Sequence, residues 1–260
     1  MLKKDLTVVI NTFNSDEKIY SCLDSVDDDI NILIIENSNN HNFKEKLEKK
    51  YTNVHCELTG KNLGYAKGNN FGLSKVKSNF ALILNPDTVI KNKTIENFFI
   101  TSSKYSDFSI IAPAIQEKKD IDAHINTNNI IEVDSVKGFA MFLNLKNFQE
   151  IGFFDENFFI YFEEIDLCKR LRKKGKKIYL DPNIIIEHIG GSSHNQSINF
   201  EMELSRNWHW MWSTFYYHKK HYGFISAFFK VSFKLTSSIF KLFLYSLLFN
   251  ENKKKIYYQR

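Results

Sequence analysis

The sequence predicts an α/β fold built on a largely parallel sheet, and three observations carry this prediction. Short runs rich in Val and Ile are continuously apolar instead of alternating, which is typical of strands buried on both faces. Helix-like segments separate these runs, as in a doubly wound arrangement. A chain of 260 residues with 43% hydrophobic content is also long enough and apolar enough to bury a full core.

The elements of the first half follow from these patterns. The apolar runs predict strands over 6–10, 31–36 and 80–85. A helix is predicted over 15–26, with Ser15 as its N-cap, and another over 43–50. We interpret the N-terminal MLKKDLTVVINTF as a first strand and not as a signal peptide, because its apolar run is short and no cleavage site follows.

The second half begins at about residue 134. It contains VKGFAMFLNL, an acidic helix, and the short strands KKIYLD and IIIEH, which we expect to continue the same sheet to about residue 200. No Pro/Gly/Ser-rich linker separates the halves.

The charge and the cysteine content argue against several classes of protein. The net charge is +5, but acids and bases are interspersed, so the balance does not call for nucleic acid. Three widely spaced cysteines form no Cys-x-x-Cys pair, which argues against a disulfide framework or a zinc knuckle and favours the cytosol.

Polar residues follow three of the predicted strands. They are Asn11 to Asn14, Glu36 to Ser38, and Asn85 to Asp87. Ligands of parallel α/β sheets bind outside the carboxyl ends of the strands. Each set alone is equally typical of a turn. Three sets together favour a binding site.

The segment GKNLGYAKGNNFGL predicts a weak anion site. It contains neither Gly-x-Gly-x-x-Gly nor Gly-Lys-Ser/Thr, which argues against a nicotinamide-dinucleotide site and a Walker-type phosphate loop. A helix N-terminus that carries Gly64, Lys67 and Asn70 still offers free N–H groups and a favourable dipole to phosphate oxygens.

The stretch YFEEIDLCKRLRKKG combines a structural and a catalytic signal. Glu163, Glu164 and Asp166 fall in the first turn of a helix whose last turns are basic before Gly175, which complements the helix dipole. The preceding aromatic run places Glu163 or Glu164 at the edge of an apolar wall. A partly desolvated carboxylate in such a place suits a general base.

His188 ends the predicted strand IIIEH and has two interpretations. A lone histidine is more often a packed core residue. Beside Asp87 and a diphosphate it would serve as a ligand for Mn²⁺.

Seven motifs in fixed order carry a family resemblance over roughly the first 200 residues. They are VVINTFNS, IIENSNN, NLGYAKGNNFGL, LILNPDT, GFAMFL, FDENFFIYFEEIDLCKRLRKKG and EHIGGSS. The sequence resembles family 2 glycosyltransferases with a GT-A fold, in particular the bacterial rhamnosyltransferase-like branch. The resemblance implies a Rossmann-like mixed sheet flanked by helices, with a nucleotide-binding half at about 1–115 and an acceptor half at about 116–200.

The resemblance also implies an inverting sugar transfer to a hydroxyl and assigns residue roles. Glu164 would be the base, with Glu163 as its rival, and Mn²⁺ or Mg²⁺ would be the cofactor. Asn85 stands where relatives have a carboxylate, and Glu36 and Glu164 stand where relatives often have Asp. The remaining expected roles are nucleotide-sugar binding by Thr12, Asn14, Glu36, Asn37, Gly64, Lys67, Asn70, Asn85 and Asp87, metal binding by Asp87 and His188, and acceptor contact by Gly138 and Asp166.

The expected partners follow from the same resemblance. The donor would be dTDP- or UDP-linked, with L-rhamnose suggested by the branch alone. The acceptor would be a saccharide, free or linked to polyprenyl diphosphate, in cell-surface polysaccharide synthesis. This predicts a cytoplasmic protein at the inner face of the cell membrane.

Residues 201–260 form an aromatic and basic extension. Within 223–250, Lys230, Lys234 and Lys241 share one side of an amphipathic helix whose other sides are apolar. Such a helix packs on its own domain, in a homodimer, or in the plane of a membrane. The lysines argue against a spanning helix.

A non-enzymatic alternative uses the same extension. WHWMWSTFYYHKKHYG could bind single-stranded nucleic acid or a lipid surface through aromatics and lysines. That interpretation leaves the strand-end acids without a role, and acids in a groove repel a phosphate backbone. We therefore expect no nucleic-acid partner.

Overall fold

The computed structural model describes residues 3–16, 18–114, 129–188 and 198–260. The described residues divide into two compact units. One lies within Met1–Asp155 and Glu164–Asn195, and the other within Glu156–Glu163 and Gln196–Arg260.

The secondary structure follows the alternation that the sequence predicts. The strands are β1 Leu6–Thr12, β2 Asn31–Glu36, β3 Val54–Leu58, β4 Phe80–Leu84, β5 Thr88–Ile90, β6 Phe108–Pro113, β7 Ile131–Glu132, β8 Ala140–Asn144, β9 Lys177–Asp181 and β10 Ile186–His188. The helices are α1 Ile19–Leu23, α2 His41–Lys50, α3 Gly64–Leu73, α4 Thr94–Lys104, α5 Glu163–Lys173, α6 Asn199–Tyr222, α7 Phe224–Leu247 and α8 Glu251–Tyr258.

The strands of the first unit form a mixed sheet. Within the described ranges its order is β3-β2-β1-β4-β8-β6-β9-β7, and β5 and β10 form a separate antiparallel pair. The pairs within β3-β2-β1-β4 are parallel, whereas β8 runs antiparallel to both β4 and β6. This confirms the predicted α/β class with a mixed sheet flanked by helices.

The core explains why the strand runs are continuously apolar. Val8, Val9 and Ile10 are consecutive in β1, and all three are fully buried, so both faces of the sheet are covered. Aromatic rings complete the core beside β8, where the ring of Phe142 stacks on that of Phe98 at 4.9 Å between centroids.

Two glycines let α3 lie close against the sheet. A Cβ at Gly68 would lie 2.5 Å from Nδ2 of Asn11, and one at Gly72 would lie 2.7 Å from Cγ1 of Val9. The repeated glycines of this segment therefore serve close helix–sheet packing.

The first helix is shorter than the sequence predicts. It spans Ile19–Leu23, and in the turn before it the Ser15 carbonyl accepts hydrogen bonds from the N–H groups of Lys18 and Ile19. The Ser15 hydroxyl accepts from the N–H of Phe13.

The second unit is built from α6, α7 and α8 together with residues 156–163, which the sequence assigned to the first domain. Aromatic packing explains the difference, since the ring of Phe158 meets Tyr216 at 4.9 Å between centroids and Phe162 meets Tyr217 at 5.3 Å. The predicted helical extension is thus present. Among the residues that the structure describes, no helix has the length and apolarity needed to cross a membrane.

Candidate active site

The ends of β1 and β2 are tied together by a buried carboxylate. Thr12 and Glu36 are direct neighbours in the parallel register, and the Thr12 hydroxyl donates to Oε2 of Glu36 at 2.6 Å. Oε1 of Glu36 accepts from the N–H of Ser38 at 2.6 Å and also from its hydroxyl. Because Glu36 is fully buried and both of its oxygens are engaged, its observed role is to shape these strand ends.

An asparagine pair connects the same strand ends to α3. The side-chain amide of Asn37 donates to Oδ1 of Asn11, and Oδ1 of Asn37 accepts from the Thr59 hydroxyl at 3.1 Å. Nδ2 of Asn11 then donates to the carbonyls of Gly64 and Tyr65 at 3.0 and 3.2 Å. The start of α3 is therefore held at the carboxyl end of β1, where the anion site was predicted.

The other residues predicted to contact the nucleotide differ in how exposed they are and in which groups they already bind. Asn14 is half-buried in a left-handed turn with φ of 50°, and Lys67 is exposed on α3. Asn70 has another task, because its amide group accepts from the N–H of Phe154 at 3.0 Å and donates to the carbonyl of Phe154 at 2.8 Å. Asn70 thus anchors the loop at Phe154, and its nucleotide contact stays a prediction.

Asp87 and His188 come together where β5 and β10 pair. His188 is the register neighbour of Thr88, which places its Nε2 3.5 Å from Oδ1 of Asp87. This Oδ1 is buried and accepts no hydrogen bond within the described residues. The glycines after His188 in the motif EHIGGSS lie outside the described residues.

The pair has the spacing of two ligands of one cation. Two ligands about 2.0–2.2 Å from a metal lie roughly 3.0–3.5 Å apart at right or tetrahedral angles. A carboxylate oxygen with an imidazole nitrogen is a donor set that Mn²⁺ accepts. No group of three or more ligating side chains occurs in the described part of the chain, so a bound metal would take its remaining ligands from elsewhere.

Phe139 and Asn85 fix the surroundings of this pair. The Phe139 ring stacks on the imidazole of His188, with 4.7 Å between centroids and 5° between planes. The Phe139 carbonyl accepts from the N–H of Asn85 at 2.8 Å. The carbonyl of Asn85 in turn accepts from the Thr88 hydroxyl at 2.7 Å, which closes the turn that carries Asp87.

Gly138, next to Phe139, lies beside Glu164. A Cβ at Gly138 would be 3.7 Å from Cβ of Glu164 and 3.1 Å from the hydroxyl oxygen of Tyr65. The Tyr65 hydroxyl donates a hydrogen bond to the Gly138 carbonyl. The segment Lys137–Phe139 therefore has Glu164 on one side and His188 on the other.

Glu164 lies at the start of α5 in a partly desolvated environment. Burial raises the pKa of its carboxyl group. Three weaker effects favour the ionised form and oppose this rise, namely its own N–H, the N–H of Ile165 and the positive charge of Lys137. The carboxylate thus lies at a helix start, as predicted, and is partly desolvated.

The other two acids of the helix are less accessible than Glu164. Glu163 is buried, whereas Glu164 is half-buried. Asp166 is completely buried, and its Oδ2 accepts from Nε of Arg170 at 2.7 Å. Arg170 also donates to the carbonyls of Ile151 and Phe153. The Asp166 carboxylate thus has no exposed surface and pairs with Arg170, and its acceptor contact stays a prediction.

The sequence analysis did not identify Tyr65 and Phe139. Both act through partners that are distant in the chain, so no local pattern indicates their roles. The one available signal was their position, since each lies within a motif or directly after a strand that was already singled out.

Comparison with known proteins agrees with this architecture. The profile of glycosyl transferase family 2 matches residues 7–167. The hexosyltransferase Agl10 of low-salt glycan biosynthesis in Haloferax volcanii is 26% identical over 198 residues, covering 67% of this chain and 64% of that protein. This chain thus spans less than two thirds of that relative.

Two further matches extend the comparison. The rhamnosyltransferase WbbL of Escherichia coli is 24% identical over 236 residues, which cover 77% of this chain and 86% of that protein. The solved structure of the mannosyltransferase PcManGT from Pyrobaculum calidifontis, in complex with GDP-Man and Mn²⁺, superimposes with a TM-score of 0.64 at 11% identity. That match covers 99% of this chain and 85% of the other and supports the GT-A fold. Since the family profile spans more than half of the sequence, this chain belongs to glycosyl transferase family 2.

Proposed function

We propose that this protein is an inverting, metal-dependent glycosyltransferase that moves a sugar from a nucleotide diphosphate sugar to an acceptor hydroxyl. The observation that carries the proposal is the position of the segment Lys137–Phe139. Its glycine lies beside Glu164, and its phenylalanine stacks on His188, which lies 3.5 Å from Asp87. A candidate base and a candidate metal ligand thus lie beside two consecutive residues, Gly138 and Phe139.

Asp87 and His188 would hold Mn²⁺ or Mg²⁺, and the diphosphate of the donor would supply further oxygen ligands. A divalent ion there offsets the negative charge that develops on the leaving diphosphate. The Mn²⁺ in the mannosyltransferase structure supports this cofactor. The half-buried Asn85 would contribute at most an amide oxygen, so Asp87 is the anionic ligand from this strand end.

Glu164 would accept the proton of the acceptor hydroxyl. As the proton moves to the carboxylate, the acceptor oxygen forms a bond to the anomeric carbon of the donor. The bond from that carbon to the diphosphate oxygen breaks, and the diphosphate leaves with the electron pair. One displacement from the opposite face inverts the anomeric centre.

The donor nucleotide would bind over the ends of β1 and β2. Asn14 and Lys67 have exposed surface there, whereas Thr12, Glu36 and Asn37 are buried and shape the floor of the site. Gly64 begins α3, and the positive end of that helix's dipole favours phosphate oxygens.

The donor and the acceptor are narrower parts of the proposal. We propose a dTDP- or UDP-linked sugar, with L-rhamnose suggested by the resemblance to the rhamnosyltransferase branch. The acceptor would be a saccharide or a polyprenyl-diphosphate-linked saccharide in cell-surface polysaccharide synthesis. An acceptor of the second kind is met at the inner face of the cell membrane, so peripheral membrane contact belongs to the proposal, whereas dimerisation is not needed for it.

A thermal-shift titration tests the proposal. UDP, dTDP and GDP are each added with and without Mn²⁺, and a ligand at about a hundred times its Kd stabilises the folded state by about 2.7 kcal/mol. We expect one nucleotide to raise the Tm by several degrees in a Mn²⁺-dependent manner, and Asp87→Asn to lose the dependence on Mn²⁺. If no nucleotide shifts the Tm of folded protein, the non-enzymatic binding module becomes the better interpretation.

A further inference from the structure

Helix α7 packs on its neighbours with a side that differs from its large, exposed apolar side chains. Ala227 and Ser238 are its buried residues. On the same side, the ammonium group of Lys234 lies 5.2 Å from the ring centroid of Trp210 in α6, and that of Lys241 lies 5.1 Å from the ring of Tyr257 in α8. The inward side of α7 therefore combines small residues and lysines with the half-buried Val231, Leu242 and Tyr245, and the Tyr245 ring stacks on that of Tyr257.

The outward side of α7 carries large apolar side chains from one end to the other, with the exposed Thr236 among them. At 100° per residue, six large side chains fall within an arc of about 80°. Each of them is between 61% and 81% exposed. We call this set the outward face; it consists of Ile225, Phe229, Phe233, Phe240, Phe243 and Leu247.

The outward face is larger than the apolar patches of ordinary monomers. Six such side chains expose on the order of 700 Å² of apolar surface, given the 150–250 Å² that an aromatic side chain can bury. The largest patch on a typical monomer is about 300–600 Å², and larger ones mark protein or membrane interaction sites. The face therefore calls for an occupant.

The charge of the residues around the outward face indicates which kind of partner would bind it. No acidic residue lies between Glu203 and Glu251, and residues 219–260 contain nine Lys and Arg residues against the single carboxylate of Glu251. A second copy of this unit would bring cations against cations. An anionic lipid surface instead attracts each Lys or Arg near it by about 1 kcal/mol.

We propose that α7 lies in the plane of an anionic lipid surface, with the outward face inserted at the boundary between headgroups and acyl chains. A helix of 24 residues extends over about 36 Å. At 100° per residue Lys230 lies about 60° beyond the edge of the face. Together with the exposed Lys219 and Lys255 of the same unit it would meet the lipid phosphates. The proposal rests on the proposed function in that it assigns residues and a lipid chemistry to the membrane contact stated there.

Vesicle flotation of the full chain tests the proposal. The vesicles contain phosphatidylcholine with or without phosphatidylglycerol. The test variant is Phe233→Ser with Phe240→Ser, which are 81% and 68% exposed. Its control is Tyr222→Ser with Tyr258→Ser, which removes two aromatic rings that are 57% and 76% exposed outside α7. Circular dichroism confirms that both variants are folded.

We expect the wild-type chain to float with the anionic vesicles and salt to weaken this binding. The test variant should lose more than about tenfold in partitioning, because two aromatic side chains no longer leave water. The control should bind like wild type.

Three results would overturn the proposal. One is equal binding of the test variant and wild type, and another is equal loss in both variants. The third is a wild-type dimer that becomes monomeric in the test variant without vesicle binding, which would make the face an interface between copies. The thermal shift with nucleotide is measured on the same variants, so a failure of the donor site is recognised separately.

Discussion

The hydroxyl of Tyr65 donates a hydrogen bond to the carbonyl of Gly138 and thereby joins α3 to the segment before β8. The Tyr65 ring also meets Phe154 edge-on at 5.8 Å between centroids, so it is held from a second side. Since Gly138 packs beside Glu164, this contact connects the helix start proposed to face the phosphates with the proposed base. Tyr65 is in this sense a positioning residue.

Tyr65→Phe removes that hydrogen bond and keeps the ring. We expect kcat to fall about tenfold, because a loss of roughly 1.4 kcal/mol in positioning is a factor of ten in rate. The nucleotide-induced thermal shift should stay the same. Tyr51→Phe is the matched control, since its hydroxyl bonds to Asp24 at the surface. Equal turnover of the two variants would remove Tyr65 from the mechanism.

The Asp87–His188 pair makes a second prediction. His188→Ala should raise the Mn²⁺ concentration for half-maximal activity by more than about tenfold, because one of two protein ligands is lost. The same titration is followed by the Mn²⁺-dependent part of the nucleotide thermal shift. His55→Ala removes an exposed histidine that contacts Glu48 and Glu57, and it should leave both titrations unchanged. Unaltered metal dependence in His188→Ala would make His188 a packing residue.

Glu164→Gln tests the proposed base. The amide of Gln has the size of the Glu carboxylate but cannot take up the proton of the acceptor hydroxyl. We therefore expect kcat to fall by a factor of about 10²–10⁴. Nucleotide binding, measured by thermal shift, should be retained. Glu163→Gln is the matched control one residue earlier in the chain. If the loss appears in Glu163→Gln alone, Glu163 is the base.

The pH dependence of the reaction gives a separate test of Glu164. Burial raises its pKa above the usual 4.5, so the carboxyl group remains protonated to a higher pH than a free glutamate. A base must be ionised, and kcat should therefore fall as the pH decreases through this raised pKa. Lys137→Ala should move the acidic limb to higher pH, because the Lys137 charge favours the ionised form. An acidic limb at or below pH 4.5, unmoved by Lys137→Ala, would contradict the assignment.

The strands were predictable because a strand that is buried on both faces consists of consecutive apolar residues. Val8, Val9 and Ile10 of β1 are all buried, and the sequence there is apolar without interruption. The helix start at Glu163 was predictable for a similar reason, since acids in the first turn complement the helix dipole.

Contacts between residues that are distant in the chain could not be predicted from local sequence patterns. Asn70 has the composition of a ligand-binding residue but holds the backbone of Phe154, which lies far along the chain. The amphipathic pattern of α7 was visible in the sequence. Which of its sides packs inward was not, because that depends on cation–π contacts such as the one between Lys234 and Trp210.

The sequence also did not reveal that Asp166 is buried against Arg170, and this contact leads to the last prediction. Asp166→Asn leaves the guanidinium of Arg170 without its buried counter-charge, and breaking buried pairs costs about 3–5 kcal/mol. Because the Arg170 side chain is partly exposed, we expect a smaller loss of about 2–3 kcal/mol in the free energy of unfolding. Chemical denaturation measures it.

The control for Asp166→Asn is an exposed ion pair made by Arg172 of the same helix. Asp134→Asn breaks the exposed pair with Arg172, and exposed pairs contribute only about 0–1 kcal/mol. A folded Asp166→Asn protein with unchanged stability but lost turnover would return Asp166 to the acceptor side. A loss of stability with the kcat of the remaining folded protein preserved would establish that this acid holds Arg170, and through it the carbonyls of Ile151 and Phe153, in place.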